Sequence, residues 1–296
     1  MLDKNNKAAR KFKALHKSVM DKFLQFETSL KPIHDKWEKP ELGEGYSVVI
    51  DGGEFFDKAG INFSQISGES LPRSSVGSEN FQKAPYFATG VSVVFHPKNP
   101  NIPTSHLNVR YFCTFKDGDI LEEWFGGGFD LTPYILFEED CSLWHKNAKK
   151  ASSHNYEEWK KNCDDYFYLK HRDEHRGIGG VFYEKQKYED IGEGLNLSEK
   201  IVNAFISSYL EIISKRKDFK FSERQKEFQR FRRGRYVEFN LIYDRGTLFG
   251  LQSGGRIESI LMSLPNEVSW RYKFEEQLTD EEKELYMAIK KSKKWA

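Results

Sequence analysis

The sequence predicts an α+β fold: one antiparallel β-sheet covered by helices, in a single domain spanning residues 1–296. Three observations point there. Short segments rich in Val, Phe, Tyr and Trp follow one another through the first half of the chain. The turns between them are too short for parallel crossovers. Capped helix starts then gather in the second half, and neither an internal repeat nor a Gly/Ser linker divides the chain.

Ala8, Phe12, Leu15, Val19, Phe23 and Phe26 recur at spacings of three and four, so residues 1–30 carry an amphipathic helix that docks on a core. Met1–Lys13 has no apolar leader-type run, and Asp3 sits where transit peptides avoid acids, so a cytoplasmic protein is expected. Strands are predicted at Tyr46–Ile50, Gly90–His96, Ser105–Phe115, Ile120–Phe125 and Gly128–Leu136. Pro97, Asn99, Pro100 and Pro103 separate two of them, and Lys116-Asp117-Gly118-Asp119 carries an Asp-Gly hairpin signal. Asn155-Tyr-Glu-Glu158 starts a helix towards Tyr168, and Ser198 caps one whose stripe is Ile201, Phe205, Tyr209 and Ile212. Ser222–Gln225 and Thr279–Glu282 are two further capping boxes. Arg235–Tyr243 reads as another strand and Glu267–Phe274 as one more.

Composition narrows the function. There are 46 Lys+Arg against 45 Asp+Glu, a net charge of +1, which argues against a general nucleic-acid binder. No run of 18 apolar residues occurs, so no membrane-spanning helix is expected. Cys113, Cys141 and Cys163 are odd in number and form no CxxC, which fits a reducing compartment. Aromatic residues reach 15%, enough to fill a core and also to line a pocket for a large flat ligand.

Strand alternation supplies candidate chemistry. On Ser105–Phe115, His106, Asn108, Arg110 and Phe112 share one face, and Leu107, Val109 and Tyr111 the other. The polar face either meets solvent or grips a ligand, with Arg for a carboxylate and His for a proton. Ser92, Val94 and His96 repeat the theme, and strand Arg235–Asp244 does so again, with Tyr236, Glu238, Asn240, Ile242 and Asp244 alternating against Val237, Phe239, Leu241 and Tyr243. Three mixed faces under helices suggest a cleft. Gly126-Gly127-Gly128, Gly177, Gly179-Gly180 and Gly254-Gly255 mark tight turns, bulges or close backbone approaches; none is a phosphate-binding fingerprint. His96, His106, His145 and His175 are candidate metal ligands without local ligand spacing, and His16 and His34 read as surface. Arg232, Arg233 and Arg235 read as a solvated helix end. Arg245 and Arg256, beside Asp244 and Gly254-Gly255, suit anion recognition, as for a large apolar body carrying carboxylates.

The chain resembles the oxygen-dependent coproporphyrinogen III oxidases. The most specific stretch runs from Lys160 to Glu184, with Cys163, His171-Arg-Asp-Glu-His175-Arg-Gly-Ile-Gly-Gly180 and a closing aromatic pair. Gly126–Tyr134, Tyr236–Thr247 and Gly254-Gly-Arg256 are similar to further family motifs, in the expected order. Two departures stand out: Asn162 where the family usually has Trp, and Phe182-Tyr183-Glu184 where it usually has Phe-Phe-Asp. The resemblance implies a large antiparallel sheet with helices on both sides, and a homodimer joined through about Tyr236 to Arg271. It implies conversion of the ring A and B propionates of coproporphyrinogen III to vinyls, giving protoporphyrinogen IX, with O2 consumed and CO2 and H2O2 released.

It also assigns Ser92, Asn108, Arg110, Gly254, Gly255 and Arg256 to substrate binding, His106 to proton transfer, and Asp244 with Arg245 to the catalytic centre. Some relatives are associated with a divalent metal such as manganese at positions matching His96, His106, His145 and His175; others are thought to need none. The cofactor-free route is favoured because the histidines lack ligand spacing. Asp244 is expected to accept the four pyrrole N–H groups together. The rival readings are a metal-dependent oxygenase acting on another aromatic acid and a non-catalytic porphyrin-binding protein. Loss of His106 or Asp244 would favour the second, and both are present.

Overall fold

The structure, a computed structural model, describes residues 2–40, 42–70, 84–252 and 256–296. Its centre is a seven-stranded sheet, antiparallel throughout. The strands are β1 (Ile33–Lys39), β2 (Gly43–Asp51), β3 (Phe56–Gly68), β4 (Tyr86–Pro97), β5 (Thr104–Lys116), β6 (Asp119–Thr132) and β9 (Gly179–Gln186). They lie side by side in the order β1-β2-β3-β4-β5-β6-β9, so the first six form a meander. The Asp-Gly signal closes the β5–β6 hairpin, with Asp117 and Gly118 both at positive φ as a tight primed turn requires.

The connection from β6 to β9 carries α2 (Glu138–Ser152), α3 (Tyr156–Tyr166) and a small hairpin of β7 (Tyr168–Leu169) and β8 (Glu174–His175). Helix α1 (Leu2–Phe23), α2 and α4 (Ile191–Arg216) cover one face of the sheet. There Phe95 packs against Phe23, Phe205 and Tyr209, and Phe129 against Trp144, joining one continuous core. Across the other face run α5 (Glu223–Ile242), α6 (Arg245–Gln252) and α7 (Ile257–Leu261), while α8 (Asp280–Lys290) backs the small hairpin.

The segment Arg235–Tyr243 is helix, not strand. The capping box at Ser222–Gln225 starts α5, whose inward stripe is Phe228, Phe231, Arg232, Arg235, Tyr236 and Phe239 at helical spacing. Arginines occupy part of that stripe, so its apolar period is hidden. They are not a solvated helix end: Arg232 and Arg233 are buried and paired with Glu174 and Asp57, and Arg235 with Glu275.

Helix α4 is capped by Asp190, whose carboxylate accepts from the Gly192 amide; Ser198 lies inside the helix and donates to the Gly194 carbonyl. Gly194, which obscures this start, is required because a Cβ there would lie 2.2 Å from the Phe125 ring. Ile120–Phe125 and Gly128–Leu136 form the single strand β6 up to Thr132, with a bulge between Phe125 and Gly127 in its pairing with β9. Glu267–Phe274 contains no strand and ends with Lys273 at positive φ before a 3-10 turn. His16 is buried rather than on the surface, with its Nε2 donating to the Ile61 carbonyl at 3.1 Å. All three cysteines are free and buried.

Candidate active site

Alternate residues of β2–β6 form the floor of a cleft beneath α5–α7. Strand register sets Ser47, Asn62, Ser92, Asn108 and Gly128 side by side. On one flank lie Ser64, Gly90, Arg110 and Gly126; on the other, Gly60, Val94, His106 and Asp130. Small side chains and glycines keep this floor low and polar, a shape that admits a broad planar ligand. At its far end the Ser47 hydroxyl donates to Asn62 Oδ1 at 2.8 Å and meets Ser259 Oγ from α7 at 3.1 Å.

The triple glycine is a stretch of close approach within β6. Gly128 has φ +144°, and a Cβ there would lie 2.0 Å from the Val181 carbonyl oxygen; one at Gly126 would lie 3.1 Å from Arg110 Nε.

His106 and Asp130, directly opposite on β5 and β6, meet at 2.9 Å from Nδ1 to Oδ1. Asp130 is buried, and Arg176 grips it through Nε at 3.0 Å and Nη2 at 2.8 Å. Burial alone would raise the Asp130 carboxyl, but the Arg176 charge and the His106 hydrogen bond outweigh it and hold the carboxyl below its ordinary value. The carboxylate is therefore the acceptor and His106 Nδ1–H the donor, so the second nitrogen, Nε2, is left for the cleft. Arg176 is itself wedged among the rings of Phe167, Tyr236 and Phe239 at 4.0, 4.5 and 4.8 Å.

At the cleft's other end Arg110 Nη1 donates to Asn108 Oδ1 at 2.9 Å, and Nη2 to Glu184 on β9 at 2.7 Å. Arg245, at the start of α6, reaches the second Glu184 oxygen at 2.8 Å. Asp244 stands one residue earlier as the cap of α6: its Oδ2 accepts from the Thr247 amide and hydroxyl, and its Oδ1 from the Tyr166 hydroxyl at 2.8 Å. Three donors already occupy this carboxylate, so it has room for about one pyrrole N–H rather than four. Burial and the neighbouring Asp244 charge raise the Tyr166 hydroxyl's pKa, keeping it a donor. Arg256 lies on the opposite rim, ahead of α7, paired with Asp35 of β1. Gly254 and Gly255 fall outside the described residues.

The sheet therefore gathers Ser92, His106, Asn108 and Arg110 on one surface, Glu184 links them to Arg245, and Arg256 stands apart. Sequence reasoning misses Asp130, Arg176, Tyr166, Glu184 and Asn62 as site residues. Asp130 becomes visible only once β6 is set in register with β5. Arg176 and Glu184 stand within the Lys160–Glu184 stretch, but only their partners reveal a role.

The four histidines do not fit a single ion. His96 shares the site face but is buried, with Nε2 donating to the Ser263 carbonyl and Nδ1 accepting from Thr104 Oγ1, each at 2.9 Å. Burial, aided by the Arg233 charge, holds its pKa well below the ordinary histidine value. His145 stands on the buried face of α2, where Nε2 donates to the Ile178 carbonyl and Tyr156 meets Nδ1; burial lowers its pKa to about 4. His175 bonds the Ile289 carbonyl at 2.7 Å, over by α8. Among the described residues no three His, Cys, Asp or Glu side chains are grouped as metal ligands.

An α+β fold thus carries a flat polar floor, two guanidiniums bridged by Glu184 and a histidine oriented by a buried carboxylate, the grouping of an enzyme site. Comparison with known sequences is specific. The family model described as coproporphyrinogen III oxidase matches residues 7–295. Among relatives, the oxygen-dependent coproporphyrinogen-III oxidase of Francisella tularensis subsp. novicida is 46% identical over 288 residues, 93% of this chain and 94% of that protein. The protein of the same name from Francisella philomiragia is also 46% identical, and that from F. tularensis subsp. holarctica (strain OSU18) 45% identical, over the same shares. The chain belongs to the coproporphyrinogen III oxidase family.

Proposed function

We propose that this chain converts coproporphyrinogen III to protoporphyrinogen IX by oxidative decarboxylation of the ring A and B propionates. Each step takes R–CH2–CH2–COO⁻ + O2 + H⁺ to R–CH=CH2 + CO2 + H2O2. The C–COO⁻ bond breaks, a hydrogen leaves the neighbouring carbon, and the two electrons pass to O2. The observation that carries this reading is the polar floor with guanidiniums at one end and the His106–Asp130–Arg176 chain at the other. The floor seats the macrocycle over Ser92 and Asn108, Arg110 and Arg245 hold propionates at one end, and Arg256 meets a carboxylate at the opposite rim. Asp244 accepts a pyrrole N–H while fixing the start of α6 and so the position of Arg245. His106, held by Asp130, moves a proton through Nε2.

O2 is the electron acceptor and the electron-rich pyrrole its reductant, with no resident metal or organic cofactor. The commitment of His96 and His145 to internal hydrogen bonds supports this. We also propose a cytoplasmic homodimer. Leu241, Ile242, Leu251 and Ile257 leave apolar surface exposed along α5–α7, inside the segment expected to pair, and the free thiols fit a reducing compartment. Among the described residues no helix is long and apolar enough to cross a membrane.

The test uses protein stripped with a chelator, mixed with coproporphyrinogen III in air, with products separated after oxidation to porphyrins. Protoporphyrin forming through a tricarboxylate intermediate is expected. Product that appears only after metal add-back would overturn the cofactor-free route. No product under either condition would leave a porphyrin-binding protein.

A further inference from the structure

Glu184 is a carboxylate in the cleft to which the proposed chemistry gives no role. Its Oε1 takes Arg110 Nη2 at 2.7 Å and its Oε2 takes Arg245 Nη2 at 2.8 Å. Those two contacts are its only side-chain hydrogen bonds among the described residues. The guanidiniums, in contrast, have supports of their own. Arg110 is tied to Asn108 and lies over the Trp124 ring, 5.7 Å from its centroid. Arg245 lies 4.7 Å over Tyr166, whose ring stacks on Phe182 at 4.4 Å. If Glu184 swung away, both cations would stay where they are.

We propose that Glu184 is a built-in stand-in for a substrate carboxylate: it bridges Arg110 and Arg245 while the cleft is empty and is displaced when a propionate takes the same two donors. This rests on the function proposed above. The bridge offsets the like charge of the two guanidiniums while the cleft is empty, one oxygen to each. Replacing one carboxylate by another leaves the local charge balance unchanged. It also makes the clasp selective, because an incoming carboxylate competes with one at high effective concentration. A small monocarboxylate loses that competition. A ligand also held elsewhere by further carboxylates wins it, so Glu184 acts as a positioning and specificity residue rather than as part of the reaction.

The experiment compares the parent chain with Glu184→Gln, which keeps the shape and removes the charge. Binding of propionate and of glutarate is measured by calorimetry without turnover, and KM and kcat for coproporphyrinogen III are measured separately. Expected are a gain of about fivefold in affinity for both small anions, a KM lower by a similar factor, and kcat within about threefold of the parent. Small-anion affinity that is unchanged or weaker, or a higher KM with a collapsed kcat, would overturn the proposal. Glu184→Asp guards against a variant that does not fold. Its shorter side chain reaches one guanidinium, so a smaller gain in anion affinity is expected, and no gain would overturn the idea. Because anion binding is read without turnover, a wrong substrate assignment would show as absent activity in the parent, while the anion affinities would still decide the role of Glu184.

Discussion

The two faces of the central sheet are made by the same strands yet are governed by opposite physics. Leu107, Val109 and Tyr111 of β5 are sealed under α1, α2 and α4 in a core of interlocking aromatic rings. Their neighbours His106, Asn108 and Arg110 stay partly open and are joined to Asp130, Glu184 and one another by hydrogen bonds. Even the covering helices differ. On the core face α4 docks through Ile201, Phe205 and Tyr209; on the cleft face α5 docks through a mixed stripe in which Phe231, Tyr236 and Phe239 alternate with buried arginines matched to Asp57 and Glu174. The sheet's apolar side chains thus gather on one face, which leaves the other face of the same strands flat, polar and partly open.

Substitution of adjacent residues on β5 should separate these roles. His106→Ala is expected to lower kcat by about 10²–10⁴, the range for losing a positioned proton-transfer group, with little change in melting temperature. Steady-state kinetics beside a thermal melt decides this; a near-normal rate would remove His106 from the reaction. Leu107→Ala, one residue away, should do the opposite. It should cost ~2–5 kcal/mol of unfolding free energy by leaving a cavity, with kcat per folded molecule unchanged. Denaturant titration and active-site-normalised rates measure it, and an equal loss of rate would show that the faces are coupled.

The smallest effect concerns pH. Burial lowers the pKa of His16, and Nε2–H holds the Ile61 carbonyl. The folded pKa lies below the unfolded value of ~6.5, so its stabilising contribution is complete above about pH 6.5 and declines as the pH falls below it. The melting temperature should drop between pH 7 and 5, and His16→Gln should shallow that drop. An unchanged slope would mean that His16 contributes nothing to it.

Much of the core face is legible in the sequence, because alternation on β5 and the three-and-four spacing of α1 are direct consequences of backbone geometry. The Asp-Gly hairpin and both capping boxes are legible for the same reason. The cleft face is harder. Helix α5 looks like a strand because Tyr236–Tyr243 is rich in aromatic and branched residues, while the arginines that complete its buried stripe count as polar in any hydrophobic pattern. His106 stands out alone, but Asp130 and Arg176 acquire meaning only through register and packing, which no local pattern encodes. The part open to Asp244 is narrower than the sequence suggests for a similar reason, since its helix-capping partners come from Tyr166 and Thr247.

Position 128 has a consequence of its own. A Cβ there would press on the Val181 carbonyl oxygen, so β6 and β9 keep their spacing only because residue 128 carries a hydrogen there. Strand β9 bears Phe182 and Glu184, and through them it locates Tyr166 and Arg245. The glycine is therefore a spacer of zero thickness: it sets the width of the clasp without touching either arginine, and inserting one carbon would widen a gap whose jaws lie on other strands and helices.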